Sequence, residues 1–530
     1  GAEAEAAPQP GELPLHVAFA KRAKRHPFAV TYLDADGTKL TNFEMLVRAA
    51  LLSRRVRALG TESRYIGVLL PNCTSMAAAM FGVLFAGRTP AVINFSAGAE
   101  VALEAASRAG IGKILTSRKF LHKLGWEEKP GMDEAKKITK SEKRAMIRLV
   151  LLLPFRMLMR RLAPESAFNA GREAVLLFSS GSTGRPKAVQ LTHRNINCDL
   201  WAFWRMILWS RRDRIVGNLP LFHAYGFTVE FAFPALSGTP VVYLPNPLDA
   251  AGVVKAIDEY DITLLTATPT FLQGYMRKAK PEQLKSLRLV ITGAEKLRPE
   301  LAAKFRDMTG LEIIEGYGCT ELSPIVTINL CNSIYLLGRH AHHPGSIGIP
   351  LPGIHVRVVD PESGVELGPD EPGLMQVRGG IVMKGYLNDP EQTARVIQNG
   401  YYNTGDIARI DRDGYVYITG RASRFSKIGG EMVPHELVEQ AIANLRGSEE
   451  REVAVAGRGD PKRGERLVVF YTPDDFDPAA VVEELRKEKL PNLWIPKTED
   501  FVKLDRLPLL GSGKLDLAKL KKLAEEQASA

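Results

Sequence analysis

Cysteine is scarce in this chain of 530 residues: Cys73, Cys198, Cys319 and Cys331 lie far apart, and no two form a C-x-x-C pair. That argues against a disulfide scaffold or a structural zinc site and points to a reducing compartment. Long apolar runs are missing too. None reaches the ~18 residues needed to cross a bilayer. The opening GAEAEAAPQPGELP lacks the basic-then-apolar pattern of a secretory signal, and a start at Gly1 instead of Met reads as a trimmed terminus. A cytoplasmic protein is expected. Low-complexity and solenoid-type repeats are also lacking. Hydrophobic residues make up 45% and charged residues 25%, ordinary values for a globular chain able to bury a large core.

The charge is unevenly placed. Lys and Arg number 70 against 60 Asp and Glu, a net charge of +10. Between Lys113 and Leu162 there are 14 basic and 5 acidic residues, so one stretch holds nearly all the excess. It ends in KRAMIRLVLLLPFRMLMRRL, where Arg144, Arg148, Arg156, Arg160 and Arg161 flank apolar residues interrupted by Pro154. A basic amphipathic insert at about 141–162 can lie on an anionic membrane, peripherally on its inner face. It can equally pack on a core with a solvated basic rim. Nucleic acid is disfavoured, because the stretch is rich in Leu and Met and poor in aromatics for base stacking.

Apolar runs alternate with helical patterns from Leu13 onward. YIGVLL and TPAVIN read as buried strands around a helix, SMAAAMFGVLFAG, ending at Gly87. AVLLF, TPVVYL, ITLLTATP and LRLVITG continue the series. The expected fold class is α/β: a large domain over 1–419 of doubly wound sheets with a small β-barrel-like section from about Gly345, then a small mobile α+β domain over 420–530. The boundary is placed at Gly420–Arg424.

Three segments carry chemistry. FSSGSTGRPK, Phe178–Lys187, reads as a strand-to-helix loop whose hydroxyls, glycines and one lysine can wrap a polyphosphate. The spacing of a Walker A loop is absent. In EGYGCTE, Glu315–Glu321, a glycine-flanked turn offers Tyr317 for stacking on a purine and Glu321 for Mg²⁺. In YYNTGDIARID, Asp406 can accept both hydroxyls of a ribose. Alone, each segment also has a plainer reading as a polar surface loop or turn, and for Asp406 the plain β-turn is the stronger of the two.

Together with LPLFHAYGF (Leu219–Phe227), GAE (Gly293–Glu295), GRASRFSKIGGE (Gly420–Glu431) and LPLLGSGKLD (Leu507–Asp516), these segments resemble the adenylate-forming enzymes: acyl-CoA synthetases, luciferases and nonribosomal adenylation domains. The likeness runs in order over about residues 25–520. It implies ATP and Mg²⁺ as cofactors and a two-step reaction, in which a carboxylate attacks the α-phosphate and a thiol then takes the acyl group. By this resemblance Lys514, Glu321 and His223 are catalytic, with His223 beside the substrate carboxylate. Ser179, Ser180, Gly181, Ser182, Thr183, Gly184 and Lys187 hold the phosphates. Thr320 and Glu321 hold phosphate and Mg²⁺, with Thr183 as a second metal ligand. Asp406 and Arg421 grip the ribose, and Gly293, Ala294, Glu295, Gly316, Tyr317 and Gly318 frame the adenine. The pivot between domains usually carries Asp or Lys; here Ser423 stands there, followed by Arg424. Gly429 and Gly430 would line a path for a phosphopantetheine arm.

The wording LPLFHAYGFTVE, GAEKL, EGYGCTE and especially KIGGEMV is similar to the acyl–acyl carrier protein synthetase half of the bifunctional 2-acylglycerophosphoethanolamine acyltransferase/synthetases. This implies a long-chain fatty acid as substrate and acyl carrier protein as thiol partner, whose acidic surface suits a basic chain. Alternatives are a fatty acyl-CoA ligase, or a lipid-binding protein on a degenerate ligase fold. The apolar WAFWRMILW and FTVEFAFPALSG suit an acyl channel or a plain buried helix. The one H-x-x-x-x-D spacing, His355 to Asp360, lies inside the synthetase segment, so an acyltransferase domain is expected to be absent. RHAHH, Arg339–His343, reads as a surface loop before a metal site.

Overall fold

The computed structural model describes residues 13–134, 139–180, 186–207, 209–330, 335–336, 339–340, 342–429, 431–447, 451–488, 490–509 and 515–526. Its centre is two α/β sheets. In one, six strands run parallel in the order Ile313–Gly318, Leu289–Thr292, Leu264–Ala267, Ile215–Gly217, Val241–Tyr243 and Val30–Asp34, with antiparallel strands at both edges. In the other, Met132–Glu134, Ile114–Thr116, Tyr65–Val68, Thr89–Val92 and Glu173–Ser180 are extended antiparallel by Pro186–Thr192 and Gly385–Tyr386. The parallel strands are short apolar runs because helices cover both faces, so side chains on either side leave water. The helix Thr74–Phe85, between the strands Tyr65–Val68 and Thr89–Val92, is buried nearly all round.

The phosphate-loop segment corrects the sequence reading. It is not a strand-to-helix loop. The strand Glu173–Ser180 turns back into a second strand, Pro186–Thr192, with Ser179 opposite Lys187 and Ser180 opposite Pro186. The cause is visible in KAVQL: Val189 and Leu191 alternate with Ala188 and Gln190 at the two-residue period of a half-buried strand, and both are fully buried. The helix begins only at His193, where Thr192 and Asn195 form a reciprocal cap.

From Ile354 the chain forms an open antiparallel sheet of five strands, including Gly373–Gly379, Tyr401–Ile410 and Val416–Arg421. The next strand, Phe425–Ile428, belongs to a separate five-stranded sheet with Glu431–Pro434, Gly464–Tyr471, Val453–Asp460 and Phe501–Lys503. The helices His435–Arg446 and Pro478–Lys487 pack on it around Val438, Ile442, Val455 and Leu485. The molecule is thus an α/β protein with a large N-terminal part of mixed sheets and a smaller C-terminal domain. Among the described residues, no helix is long and apolar enough to cross a membrane.

Candidate active site

The turn after the strand Ile313–Gly318 draws several motifs to one place. Tyr317 donates its hydroxyl to Asp406, which lies on the strand Tyr401–Ile410 and is 5% exposed. Arg421, on the neighbouring strand and directly opposite Asp406 in register, reaches the same carboxylate at 3.2 Å. Burial raises the Asp406 carboxyl above its usual range, and the Arg421 guanidinium opposes that shift. The result is a withdrawn carboxylate already aligned by one hydroxyl and one cation.

Four residues past Tyr317, Glu321 is also buried. Its Oε1 accepts from the Tyr386 hydroxyl at 3.0 Å and from Ser179 Oγ at 3.3 Å. Lys187 completes the group, its ammonium 5.0 Å from the centre of the Tyr386 ring. Mg²⁺ commonly takes one or two carboxylates, with waters and substrate phosphates filling its other positions. A single buried carboxylate beside a hydroxyl and a lysine fits that pattern. Among the described residues, no group of three or more His, Cys, Asp or Glu converges on a point, so a metal cage built wholly from protein is not found there.

The adenine segment is built from backbone. A Cβ on Gly293 would stand 3.1 Å from the Gly316 carbonyl oxygen and 3.7 Å from the Tyr225 ring. Ala294 has φ +68°, a left-handed conformation that costs a residue with a Cβ about 1–3 kcal/mol and clusters at functional sites. Glu295 turns outward and accepts from the Thr270 hydroxyl at 2.5 Å. Gly318 is explained by packing, since a Cβ there would overlap the Pro324 carbonyl. Thr320 opens the short turn Thr320–Leu322 that carries Glu321.

His223 is solvent-exposed with its ring 4.7 Å from that of Phe222. Its segment is held from below. Asn72 Nδ2 donates to the Leu219 carbonyl at 2.6 Å, its Oδ1 accepts from Leu221 N–H at 3.1 Å, and the fully buried Glu230 accepts from Leu219 N–H at 2.9 Å and from the Thr266 hydroxyl at 2.9 Å. Burial pushes the Glu230 carboxyl well up. FTVEFAFPALSG is therefore packed core, and behind it a cavity of about 10 Å³ remains between Phe203, Ile207, Val229, Phe233 and Leu264. Of RHAHH, His342 and His343 are described in side-chain detail. His343 stacks on Tyr415 at 3.6 Å, and His342 Nδ1 lies 3.2 Å from the Leu330 carbonyl.

A cleft of about 3560 Å³ separates the large and small parts. Glu295, Glu315 and Arg421 line it from one side and Arg424, His435 and Leu515 from the other. Ser179, Lys187, Glu321 and Asp406 are not on its lining; Asp406 reaches it through Arg421. Leu509 and Leu515 pair with each other at its edge. Lys514 itself, Gly181, Ser182, Thr183, Gly184 and Gly430 lie outside the described residues, and Ser180 is described by its backbone alone.

The family model of the AMP-binding enzyme matches residues 19–387, and that of the AMP-binding enzyme C-terminal domain matches 437–514. The chain belongs to the AMP-binding enzyme family. A long-chain-fatty-acid–CoA ligase of Bacillus subtilis (strain 168) is 28% identical over 532 residues, covering 92% of this chain and 90% of the relative. A feruloyl-CoA synthase of Amycolatopsis sp is 29% identical over 517 residues, covering 93% and 96%. A long-chain-fatty-acid–CoA ligase of Yersinia pestis is 33% identical over 351 residues, covering 64% of this chain and 60% of the relative. In fold, the chain matches ATP-bound MatB from Rhodopseudomonas palustris with a TM-score of 0.74 at 22% identity, over 96% of this chain and 99% of that one. It matches o-succinylbenzoate CoA synthetase from Bacillus subtilis, in complex with ATP and magnesium ion, with a TM-score of 0.74 at 23% identity, over 95% and 98%. The relatives bear the names of CoA ligases and synthases, and the last structure holds ATP and magnesium ion.

Sequence reasoning missed Tyr386, Tyr402, Asn72, Glu230 and Glu315. Tyr386 hides in the undistinguished MKGYLND and gains its place by pairing with Val189 in a strand nearly two hundred residues earlier. Tyr402, hydrogen-bonded to Tyr386, is buried beneath it. Glu315 opens the EGYGCTE motif, and burial lifts its carboxyl to about 7.

Proposed function

We propose that this AMP-binding enzyme activates a long-chain fatty acid with ATP and passes the acyl group to the phosphopantetheine thiol of acyl carrier protein. In this reading it supports phospholipid acylation at the inner face of the membrane. The observation that carries the ligase reading is the turn Tyr317–Glu321, which joins the Asp406–Arg421 pair at one end to Ser179, Lys187 and Tyr386 at the other. A ribose hydroxyl pair and a polyphosphate belong to one nucleotide, and one short turn joins the groups that would receive them.

In the first step a fatty-acid carboxylate oxygen attacks the α-phosphorus. An O–P bond forms, the bond to the bridging oxygen breaks, and pyrophosphate leaves with the electron pair. Two anions meet, so cations must stand where negative charge gathers. Lys187 and the hydroxyls of Ser179, Ser180, Ser182 and Thr183 would face the phosphates, and Lys514 would meet the reacting oxygens. Glu321 with Thr183 would hold Mg²⁺, which would supply positive charge beside the phosphates. Asp406 would accept from the ribose hydroxyls while Tyr317 and Arg421 keep it aligned. Gly293, Ala294, Gly316 and the Tyr317 ring would frame the adenine, and His223 would stand near the carboxylate. In the second step the thiolate sulfur attacks the acyl carbon, and AMP leaves as the acyl–oxygen bond breaks.

The two steps need different surfaces at the same adenylate, which a rotation of the small domain would provide. Arg421 is bound to Asp406 of the large part. Arg424, 4% exposed, donates to Glu439 at 2.5 Å and to the Val455 carbonyl at 2.7 Å within the small part. The pivot is then Ala422–Ser423, the two residues tied to neither side by these arginines. The acyl chain would enter the apolar region at Phe203 and Phe233, whose small cavity must widen to admit it.

CoA is the second reading for the acceptor, favoured by relatives named as long-chain-fatty-acid–CoA ligases. Thioester formation from labelled palmitate and ATP, with either holo-carrier protein or CoA, tests it. Faster reaction with carrier protein is expected, and faster reaction with CoA overturns that acceptor. A protein with no fatty-acid-dependent exchange of pyrophosphate into ATP overturns the ligase reading.

A further inference from the structure

One face of the large part combines exposed apolar tips with cations. The helices Lys140–Leu152 and Phe155–Leu162 meet at Leu153–Pro154 and turn Met146, Val150, Leu158, Met159 and Leu162 inward. That inward face accounts for their packing. It leaves Leu151, Leu152 and Met157 exposed by 60%, 78% and 56% at the corner between the helices.

One other segment is tied to the same corner. Lys24, near the end of the helix Leu15–Arg25, donates to the carbonyls of Val150 at 2.8 Å and Leu153 at 3.1 Å. Phe28, four residues further on, is 87% exposed.

The charge is one-sided. Lys140–Leu162 holds seven basic residues and one acidic residue, Glu142, which is engaged by Arg55 at 2.9 Å. We infer that this face docks onto an anionic lipid bilayer, with Leu151, Leu152 and Met157 entering the acyl boundary while the surrounding arginines meet lipid phosphates. Packing explains the inward residues and solvation explains the arginines, but neither explains adjacent leucines held in water among them. A soluble acidic partner would satisfy the cations and leave the leucines exposed, whereas a bilayer takes both. The inference rests on the proposed placement at the membrane, and it names the surface.

Sedimentation of the full chain with vesicles tests it, using phosphatidylglycerol mixed into phosphatidylcholine against phosphatidylcholine alone. The wild-type protein is expected to sediment with the anionic vesicles and less so at high salt. The triple variant Arg156→Glu, Arg160→Glu, Arg161→Glu should lower partitioning by about tenfold or more. The double variant Leu151→Ser, Leu152→Ser, which alters exposed positions and keeps every charge, should lose the binding that survives salt. Pyrophosphate exchange with detergent-dispersed palmitate should stay at the wild-type rate in both variants. If wild type binds and both variants bind equally well, the face is wrongly assigned although membrane placement stands. If wild type never sediments, the surface and the placement fall together. A triple variant with unchanged vesicle binding and a raised KM for carrier protein gives the face to that protein and overturns the inference.

Discussion

At the Tyr317–Glu321 turn, a few polar groups are withdrawn from water and bonded to one another; at the corner between Lys140–Leu152 and Phe155–Leu162, many cations stand in solvent. Asp406 has two aligned partners, and Glu321 has two more. In such a low-dielectric setting each bond is strong and each orphaned partner expensive. The arginines of the corner are screened within about 10 Å at 0.1 M salt and act as a sum. One region should therefore fail at single substitutions, and the other should fade gradually.

The largest expected effect is Lys514→Ala, which should lower fatty-acid-dependent pyrophosphate exchange by about 10²–10³-fold, the usual loss on removing one oxyanion-stabilising donor. A rate within about tenfold of wild type would break the claim that a single cation is decisive there. Glu315→Gln comes next and sharpens the cost of burial. Its folded carboxyl titrates at about 7 against the ordinary 4.5, so the native state keeps a proton that the unfolded chain gives up. Stability from this group is then lost as pH rises from 4.5 through 7. Urea unfolding should show the variant gaining up to about 3 kcal/mol at pH 8 and nothing at pH 4, since each pKa unit is about 1.4 kcal/mol. An equal difference at both pH values would refute the assignment.

Asp406→Ala should raise KM for ATP by about 10–100-fold, from hydrogen bonds to a charged group worth about 1.5–3 kcal/mol. Tyr386→Phe removes only the hydroxyl that aligns Glu321. About a tenfold loss in kcat/KM at limiting Mg²⁺ is expected, the low end for a hydrogen bond to a charged group, about 1.5 kcal/mol. The smallest effect belongs to the other region. Arg148→Ala should change vesicle partitioning by less than about tenfold, with the difference shrinking as salt is added. A single arginine there that abolished binding would erase the contrast.

The strand runs were legible because continuous Val, Leu and Ile segments fit a sheet covered on both faces, and YIGVLL and TPAVIN fall in such parallel strands. The phosphate hairpin was misread because its second strand, KAVQLT, runs straight into a helix start, and a polar loop before a helix looks the same from either side. Tyr317, Glu321 and Asp406 stood out through the glycine turns that present them. Tyr386 did not, since nothing local marks a tyrosine whose partners are Glu321, on a short helical turn, and Tyr402, on another strand.

By itself, then, the order of residues determined which groups this enzyme can bring to a nucleotide, because hydroxyls, carboxylates and lysines in glycine-rich turns carry their chemistry wherever they lie. Only the tertiary structure decided which of them meet. Pairing of Gly385–Tyr386 with the phosphate hairpin puts a phenol on Glu321, the opposition of two strands aims Arg421 at Asp406, and Lys24 anchors a corner that leaves leucines outside. Those are contacts across long stretches of chain, set by how sheets and helices pack and not by any residue's neighbours in sequence.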